Sequence, residues 1–293
     1  MPATPVTVVP RARFPEGPVW CPDGTLVFTS VPDGALYRVD LASGNVTTVA
    51  VVGGGANAAA PTADGGFAVT QNGGIDFSHV EGLDLEGLPP YRPVMPGLQH
   101  VGADGTVRYL LDDGFLAPND LTATPDGTLY FTDPPHHPSP PEPTGRVHAL
   151  TPDGSHRVVA DGFHYPNGIA REPGGTLAVI EARGLLRLST DGEREWIVES
   201  FGESAGDGMA LDVDGRLYVC CTRDHAVRVF EPDGTEVDRL EVPGPGLLTN
   251  CCFGGDDGRT LFVTQGVPGS VLAFEGLPTP GLAVDPWPVP AVG

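Results

Sequence analysis

Pro118-Asn119-Asp120-Leu121-Thr122-Ala123-Thr124-Pro125-Asp126-Gly127-Thr128-Leu129-Tyr130-Phe131-Thr132 is the stretch from which the fold is read. It runs as a short strand, an Asp-Gly turn and a second, more apolar strand, because Asp-Gly supplies the backbone geometry of a tight hairpin. Asn119 stands seven residues ahead of the turn residue Asp126. The same spacing recurs with Glu16 before Asp23, Asn57 before Asp64, Asn167 before Gly174, Asp207 before Asp214 and Asn250 before Asp257. The chain has only six asparagines, and four of them occupy this position. Chance would fill all six places with Asp, Glu or Asn roughly once in a hundred thousand trials, so the unit is a genuine repeat.

The turns at 23, 64, 126, 174, 214 and 257 are 41, 62, 48, 40 and 43 residues apart. That period matches a four-stranded propeller blade. A third strand follows in each unit, for example Leu36-Tyr37-Arg38-Val39 and Val227-Arg228-Val229-Phe230, and turns such as Pro152-Asp153-Gly154 lead to a fourth. The last unit has three clear strands and then a Pro-rich tail, Leu277 to Gly293. Its missing outer strand is supplied by Pro5 to Arg11, which ties the two ends together and removes exposed edges. The expected fold is all-β: one six-bladed β-propeller over residues 1–293, with antiparallel blades closed by the N-terminal strand. The residues ahead of each inner strand then gather at one mouth of the channel. The long segments Gln71 to Asp104 and Asp133 to Thr144 lie over that mouth.

Composition narrows the function. A net charge of −22 argues against nucleic acid, since phosphate contacts need a basic face. No apolar run approaches about 18 residues, which argues against a membrane span. Met1 to Pro10 lacks signal-peptide character, so a cytoplasmic location is expected. No protein partner is evident, and a small-molecule substrate is expected. The cysteines, Cys21 and the pairs Cys220-Cys221 and Cys251-Cys252, have no zinc-site spacing and read as small buried hydrophobes.

A ring of hard oxygens on an axis is what a bound Ca²⁺ needs. Phe14-Pro15-Glu16-Gly17-Pro18-Val19-Trp20, Pro118-Asn119-Asp120-Leu121, Pro166-Asn167-Gly168-Ile169-Ala170, Gly206-Asp207-Gly208-Met209 and Thr249-Asn250-Cys251-Cys252-Phe253-Gly254-Gly255 resemble motifs of the SMP-30/gluconolactonase/LRE (regucalcin-like) family. The resemblance runs from about Pro5 to Phe274. It implies a divalent metal at the channel mouth, usually Ca²⁺, with Zn²⁺, Mn²⁺ and Mg²⁺ as alternatives. It also implies that Glu16, Asn167 and Asp207 are ligands, and that Asn119 is a fourth ligand or a donor to substrate. Asp207 would be the general base or nucleophile. Two residues before Asn119, where the animal lactonases carry a substrate-binding Arg, this chain has Ala117.

The expected activity is hydrolysis of a lactone, with the metal polarising the carbonyl and Asp207 and Asn119 acting on water and substrate. Phosphotriester or fluorophosphate hydrolysis, a non-hydrolytic tailoring reaction, and a non-catalytic calcium-binding or docking propeller are the alternatives. His136, His137, Glu181 and Arg183 stand where they would meet a substrate. Asn57 and Asn250 are expected behind the ligands, orienting Glu16 or Asp207. Asp120 is expected to point away from the channel, because neighbours along a strand face opposite sides. Trp287 is expected to pack in the tail.

Overall fold

The computed structural model describes residues 4–79 and 88–290. A first strand, β1 (Val6–Val9), leads into blade 1: β2 (Pro15–Trp20), β3 (Leu26–Ser30), β4 (Ala35–Asp40) and β5 (Asn45–Val51). Blade 2 is β6 (Ala56–Pro61), β7 (Phe67–Gln71), β8 (Gly97–Val101) and β9 (Val107–Leu111). Blade 3 is β10 (Leu121–Ala123), β11 (Leu129–Asp133), β12 (Gly145–Leu150) and β13 (His156–Phe163). Blade 4 is β14 (Pro166–Arg171), β15 (Leu177–Glu181), β16 (Gly184–Leu188) and β17 (Arg194–Val198). Blade 5 is β18 (Gly206–Leu211), β19 (Leu217–Cys221), β20 (Ala226–Phe230) and β21 (Glu236–Glu241). Blade 6 is β22 (Leu247–Gly254), β23 (Thr260–Val267) and β24 (Ser270–Phe274), and β1 completes it as the outer strand. The chain is thus a six-bladed β-propeller of four-stranded antiparallel sheets, closed by its N-terminus.

Burial follows the radial position of each strand. The second strands, such as Leu129–Asp133 and Leu217–Cys221, are buried along their whole length, whereas the fourth strands are largely exposed. Apolar clusters fill the seams between neighbouring blades. One joins Val27 and Leu36 of blade 1 to Phe67 and Val69 of blade 2, and another joins Phe28 of blade 1 to Phe262 of blade 6. The Asp-Gly turns work as their sequence suggests. Asp126 Oδ1 accepts the Thr128 N–H at 3.0 Å, and Gly127 sits at φ +83°, a conformation other residues adopt only at a cost. All five cysteines are free thiols.

Buried threonines at the ends of the second strands latch one blade to the next. The Thr29 hydroxyl donates to the Asn57 carbonyl, Thr70 to the Asn119 carbonyl, and Thr132 to the Asn167 carbonyl, the last at 2.7 Å. Between blades 6 and 1, Thr249 donates to the Pro15 carbonyl at 2.8 Å. These bonds fix the backbone of the inner strands relative to one another, and so fix what those strands carry.

The Pro-rich tail is a strap across the face opposite the Glu16 end of the inner strands. Val213 N–H donates to the Pro280 carbonyl at 3.0 Å, and Leu282 N–H to the Leu211 carbonyl at 2.8 Å. Farther on, Trp287 exchanges backbone hydrogen bonds with Pro61 and Ala63, and its indole N–H donates to the Gly127 carbonyl at 2.9 Å. Its ring is fully buried against Leu98, Leu129 and Leu150. The strap therefore ties blade 6 to blades 5, 2 and 3. Trp287→Ala is expected to lower unfolding stability by about 3–5 kcal/mol, the usual cost of emptying a buried aromatic site. Chemical denaturation measures it; a change below about 1 kcal/mol would show that the strap adds nothing to stability.

Candidate active site at the channel mouth

Five of the six repeat residues, Glu16, Asn57, Asn119, Asn167 and Asp207, share one register position at the start of the inner strands. In blade 6, whose hairpin is one pair longer, that position is Thr249, and Asn250 stands one residue farther on, level with Asp120. Contacts between neighbouring blades at this level close in a circle. A Cβ on Gly17 would lie 2.6 Å from the Asn57 carbonyl, one on Gly168 would lie 2.4 Å from the Asp207 carbonyl, and one on Gly208 would strike the Asn250 side chain at 2.0 Å. Glycine after Glu16, Asn167 and Asp207 thus leaves room for the next blade to close in. The threonine latches join blades 2 to 3 and 3 to 4, and the Thr249 latch joins 6 to 1. Every neighbouring pair of ring positions is in touch.

A bulge sits at each ring position. In five blades the inner strand gains one residue relative to its partner, between Glu16 and Val19, Ala56 and Ala59, Pro166 and Ile169, Gly206 and Met209, and Leu248 and Cys251. In blade 3, Asn119 N–H donates to the Thr132 carbonyl at 2.9 Å while Thr132 N–H donates to the Asp120 carbonyl at 3.0 Å. Two residues oppose one, and strict alternation fails there. This corrects the expectation for Asp120. Its carboxylate is turned into the channel and accepts the Asn250 amide, Nδ2 to Oδ1 at 2.9 Å and to Oδ2 at 3.0 Å. Asn250 thereby spans from blade 6 to blade 3, and its own Oδ1 accepts the Cys251 N–H at 2.8 Å.

Glu16, Asp120 and Asp207 bring three carboxyls into one enclosed space. Glu16 and Asp120 are buried, and Asp207 keeps partial access. Burial is the main force raising each of them. It pushes Asp120 up to about 7, against the Asn250 hydrogen bond. Burial, then the charges of Asp207 and Asp120, hold the Glu16 carboxyl well above the usual range, although the Gly17 N–H donates to it at 2.7 Å. Asp207 is raised by burial and by Asp120, and lowered by the Asn167 amide. Among the described residues no Arg or His forms an ion pair with any of the three.

The amide oxygens carry the decisive signal. Asn57 Oδ1, Asn119 Oδ1 and Asn167 Oδ1 are buried and accept no hydrogen bond. A buried acceptor without a partner is costly, and here three line one ring beside acidic groups that lack a counter-charge. A cation placed there would answer both deficits. Among the described residues no group of three or more His, Cys, Asp or Glu could hold a metal ion by itself; with the asparagine oxygens added, the donors would form a mixed carboxylate and amide set. Such a set suits Ca²⁺, Mg²⁺ or Mn²⁺, and lacks the imidazole or thiolate that zinc sites favour.

The other expected site residues lie around the rim. His137 Nε2 is 2.7 Å from the Tyr165 hydroxyl, with ring centroids 4.8 Å apart. Desolvation by its neighbours and then His136 push the His137 imidazole down although the residue keeps solvent exposure, while burial and the charges of Asp207 and Glu16 push the Tyr165 phenol up. His136 is exposed, and its Cε1 would lie 3.1 Å from a Cβ on Gly73. Glu181 is buried, its oxygens accepting the His164 N–H at 2.6 Å and the Tyr165 N–H at 3.2 Å. Arg183 stands exposed at the turn between β15 and β16, with no side-chain partner among the described residues. Tyr165 escaped the sequence reading, although it stands two residues before Asn167 as Ala117 does before Asn119. Below the ring, a cavity of about 590 Å³ runs toward the strap, with Asp120 and Asn250 in its wall among small residues such as Ala59, Ala123 and Cys251.

Fold and site together define a class: a six-bladed propeller with a hard-oxygen ring at one end of its channel. The chain belongs to the SMP-30/gluconolactonase/LRE-like family, whose pattern matches residues 14–266. It is 30% identical to a pentonolactonase of Haloferax volcanii, over 90% of this chain and 86% of that protein. It is 27% identical to a gluconolactonase of Zymomonas mobilis, over 89% of this chain and 79% of that protein. The crystal structure of a calcium-binding protein, regucalcin, from Agrobacterium tumefaciens superposes with a TM-score of 0.79 at 20% identity, covering 99% of both chains. Among the described residues no helix is long and apolar enough to cross a membrane.

Carboxyls raised in the folded state make the folded protein bind more protons than the unfolded chain between the two titration ranges, so stability falls with rising pH across that window. With chelator present, the thermal midpoint is expected to decline as pH rises through the value of about 7 held by Asp120. Added Ca²⁺ should restore more at about pH 8 than at about pH 5, because binding competes with protons for the ligands. Scanning calorimetry with and without Ca²⁺ checks this; a pH-independent calcium effect would mean that the ring carboxyls are not the ligands.

Proposed function

We propose that the chain is a divalent-metal-dependent hydrolase that opens a lactone ring. The observation that carries this is the set of three buried, unpartnered amide oxygens beside three carboxyls at the mouth of the channel. The family's lactonase relatives support the reaction class. Glu16, Asn119, Asn167 and Asp207 would hold the cation, with Ca²⁺ the best match to the donors. Bound there, the cation would polarise the substrate carbonyl and offset the negative charge that develops on it.

The residues themselves divide the remaining work. Asp207, the most accessible of the three carboxyls, takes the proton from the attacking water. Water oxygen bonds to the carbonyl carbon, the ring C–O bond breaks, and the ring oxygen leaves with a proton to give a hydroxy acid. His137 and Tyr165, hydrogen-bonded at the rim, are placed to supply that proton. Asn57 offers a further oxygen equivalent to those of Asn119 and Asn167. Arg183 and His136 lie at the rim, where a hydroxylated or anionic part of the substrate would extend. The reaction needs only a soluble small-molecule substrate and no second protein.

Hydrolysis of aldonolactones of five and six carbons, followed with a pH indicator in chelated and Ca²⁺-, Mn²⁺-, Mg²⁺- or Zn²⁺-loaded protein, tests the proposal. Asp207→Asn is expected to cut kcat by about 10²- to 10⁴-fold, the usual worth of a general base, with the fold retained by circular dichroism. Tight Ca²⁺ binding without turnover of any lactone would favour a purely calcium-binding role. Turnover unaffected by Asp207→Asn would remove that residue as the base.

A further inference from the structure

Two buried carboxylates outside the ring repeat one arrangement. Asp133 ends β11, directly after the latch residue Thr132, and its Oδ1 accepts the Leu116 N–H at 2.9 Å and the Ala117 N–H at 2.8 Å. Glu181 ends β15 and accepts the N–H groups of His164 and Tyr165. In both cases the clamped groups lie three and two residues ahead of a ring asparagine, Asn119 or Asn167. In both cases the one residue between is a proline, Pro118 or Pro166, whose φ is fixed by its ring. The clamp and the proline together leave the backbone ahead of each asparagine almost no freedom.

Both asparagines present an unpartnered buried Oδ1. In blades 1, 2, 5 and 6 the strand position of Asp133 and Glu181 is Ser30, Gln71, Cys221 and Gln265, so the carboxylate clamp belongs to the two blades whose ring residue is an asparagine after a proline; in blade 1, where Glu16 follows Pro15, the position is Ser30. Asp133 is fully buried and balanced by Arg146 at 2.6 Å and by His148 at 3.2 Å, with His148 reaching His156 at 3.0 Å. Glu181 has no Arg or His ion-pair partner among the described residues. A buried carboxylate is expensive to keep, and an amide oxygen would accept both N–H groups at Asp133 and one of the two at Glu181. Two of them, at equivalent places, both spent on the backbone ahead of a ring amide, call for a role in the ring.

We propose that Asp133 and Glu181 are positioning residues that aim the Asn119 and Asn167 side-chain oxygens at the cation position. The proposal rests on the ring being a cation site. It assigns Glu181 to the backbone of the mouth rather than to the substrate.

The test is Ca²⁺ affinity by isothermal titration calorimetry for Asp133→Ala, Asp133→Asn, Glu181→Ala and Glu181→Gln, with metal-free thermal midpoints and metal-free crystal structures of the folded variants. Each alanine variant is expected to lose about 10- to 100-fold in affinity, the cost seen when a partner that orients a ligand is removed. Asp133→Asn keeps an oxygen for both N–H groups and should regain most of the affinity; Glu181→Gln keeps one acceptor of two and should fall between. Alanine variants that fold yet bind Ca²⁺ within about twofold of the parent would overturn the proposal, since scaffold packing alone predicts that result. If they do not fold, Glu181→Gln decides: a loss of about fivefold or more supports the clamp, and unchanged affinity overturns it. If the parent protein binds no cation, the metal reading fails separately. The crystal structures then decide: Asn119 and Asn167 side chains displaced in the variants sustain the clamp, and unmoved ones refute it.

Discussion

Six inner strands can share one axis only if the residues facing it are small or are used for contact with one another. That crowding shapes the rest of the molecule. β6 is Ala-Asn-Ala-Ala-Ala-Pro, and glycines stand after Glu16, Asn167 and Asp207 where the next blade presses in. At the ring, the space left between strands is filled by oxygen atoms instead of carbon. Three amide oxygens and three carboxyls occupy it, and the strands hold them together although their charges repel. The seam clusters, the threonine latches and the strap supply the stability that permits this local strain. A site assembled against its own electrostatics is typical of places where a protein does chemistry.

The ring was legible because its position is tied to the Asp-Gly turn by strand length, and turn chemistry is local. Closure by the N-terminal strand was legible from a missing fourth strand. Asp120 was not, because its orientation depends on a bulge, and a single inserted residue reverses the side a chain neighbour faces. The strap was also hidden: Trp287 meets Gly127 and Pro61 across more than half the sequence, through backbone groups that leave no pattern. Asp133 and Glu181 looked like rim residues from the end of a strand. Only the folded structure shows that their carboxylates turn back toward the chain ahead of Asn119 and Asn167.

The site also separates what the blades share from what distinguishes them. Every blade contributes one ring position, yet only blades 1 and 5 supply a carboxylate there, and blade 3 supplies a second residue, Asp120, through its bulge. The carboxyls therefore stand on alternate blades, 1, 3 and 5, with the amides of Asn57, Asn119 and Asn167 completing the circle. Tyr165 and His137 border this ring at the rim, where the lead-in to blade 4 meets the loop after β11.

Anomalous diffraction from crystals soaked with Mn²⁺ would locate a bound ion directly. One peak on the channel axis is expected, within about 2.0–2.6 Å of oxygens from Glu16, Asn119, Asn167 and Asp207, the range of hard-cation bonds. A ring without a peak, its asparagine oxygens satisfied by water or turned onto the protein, would contradict the account.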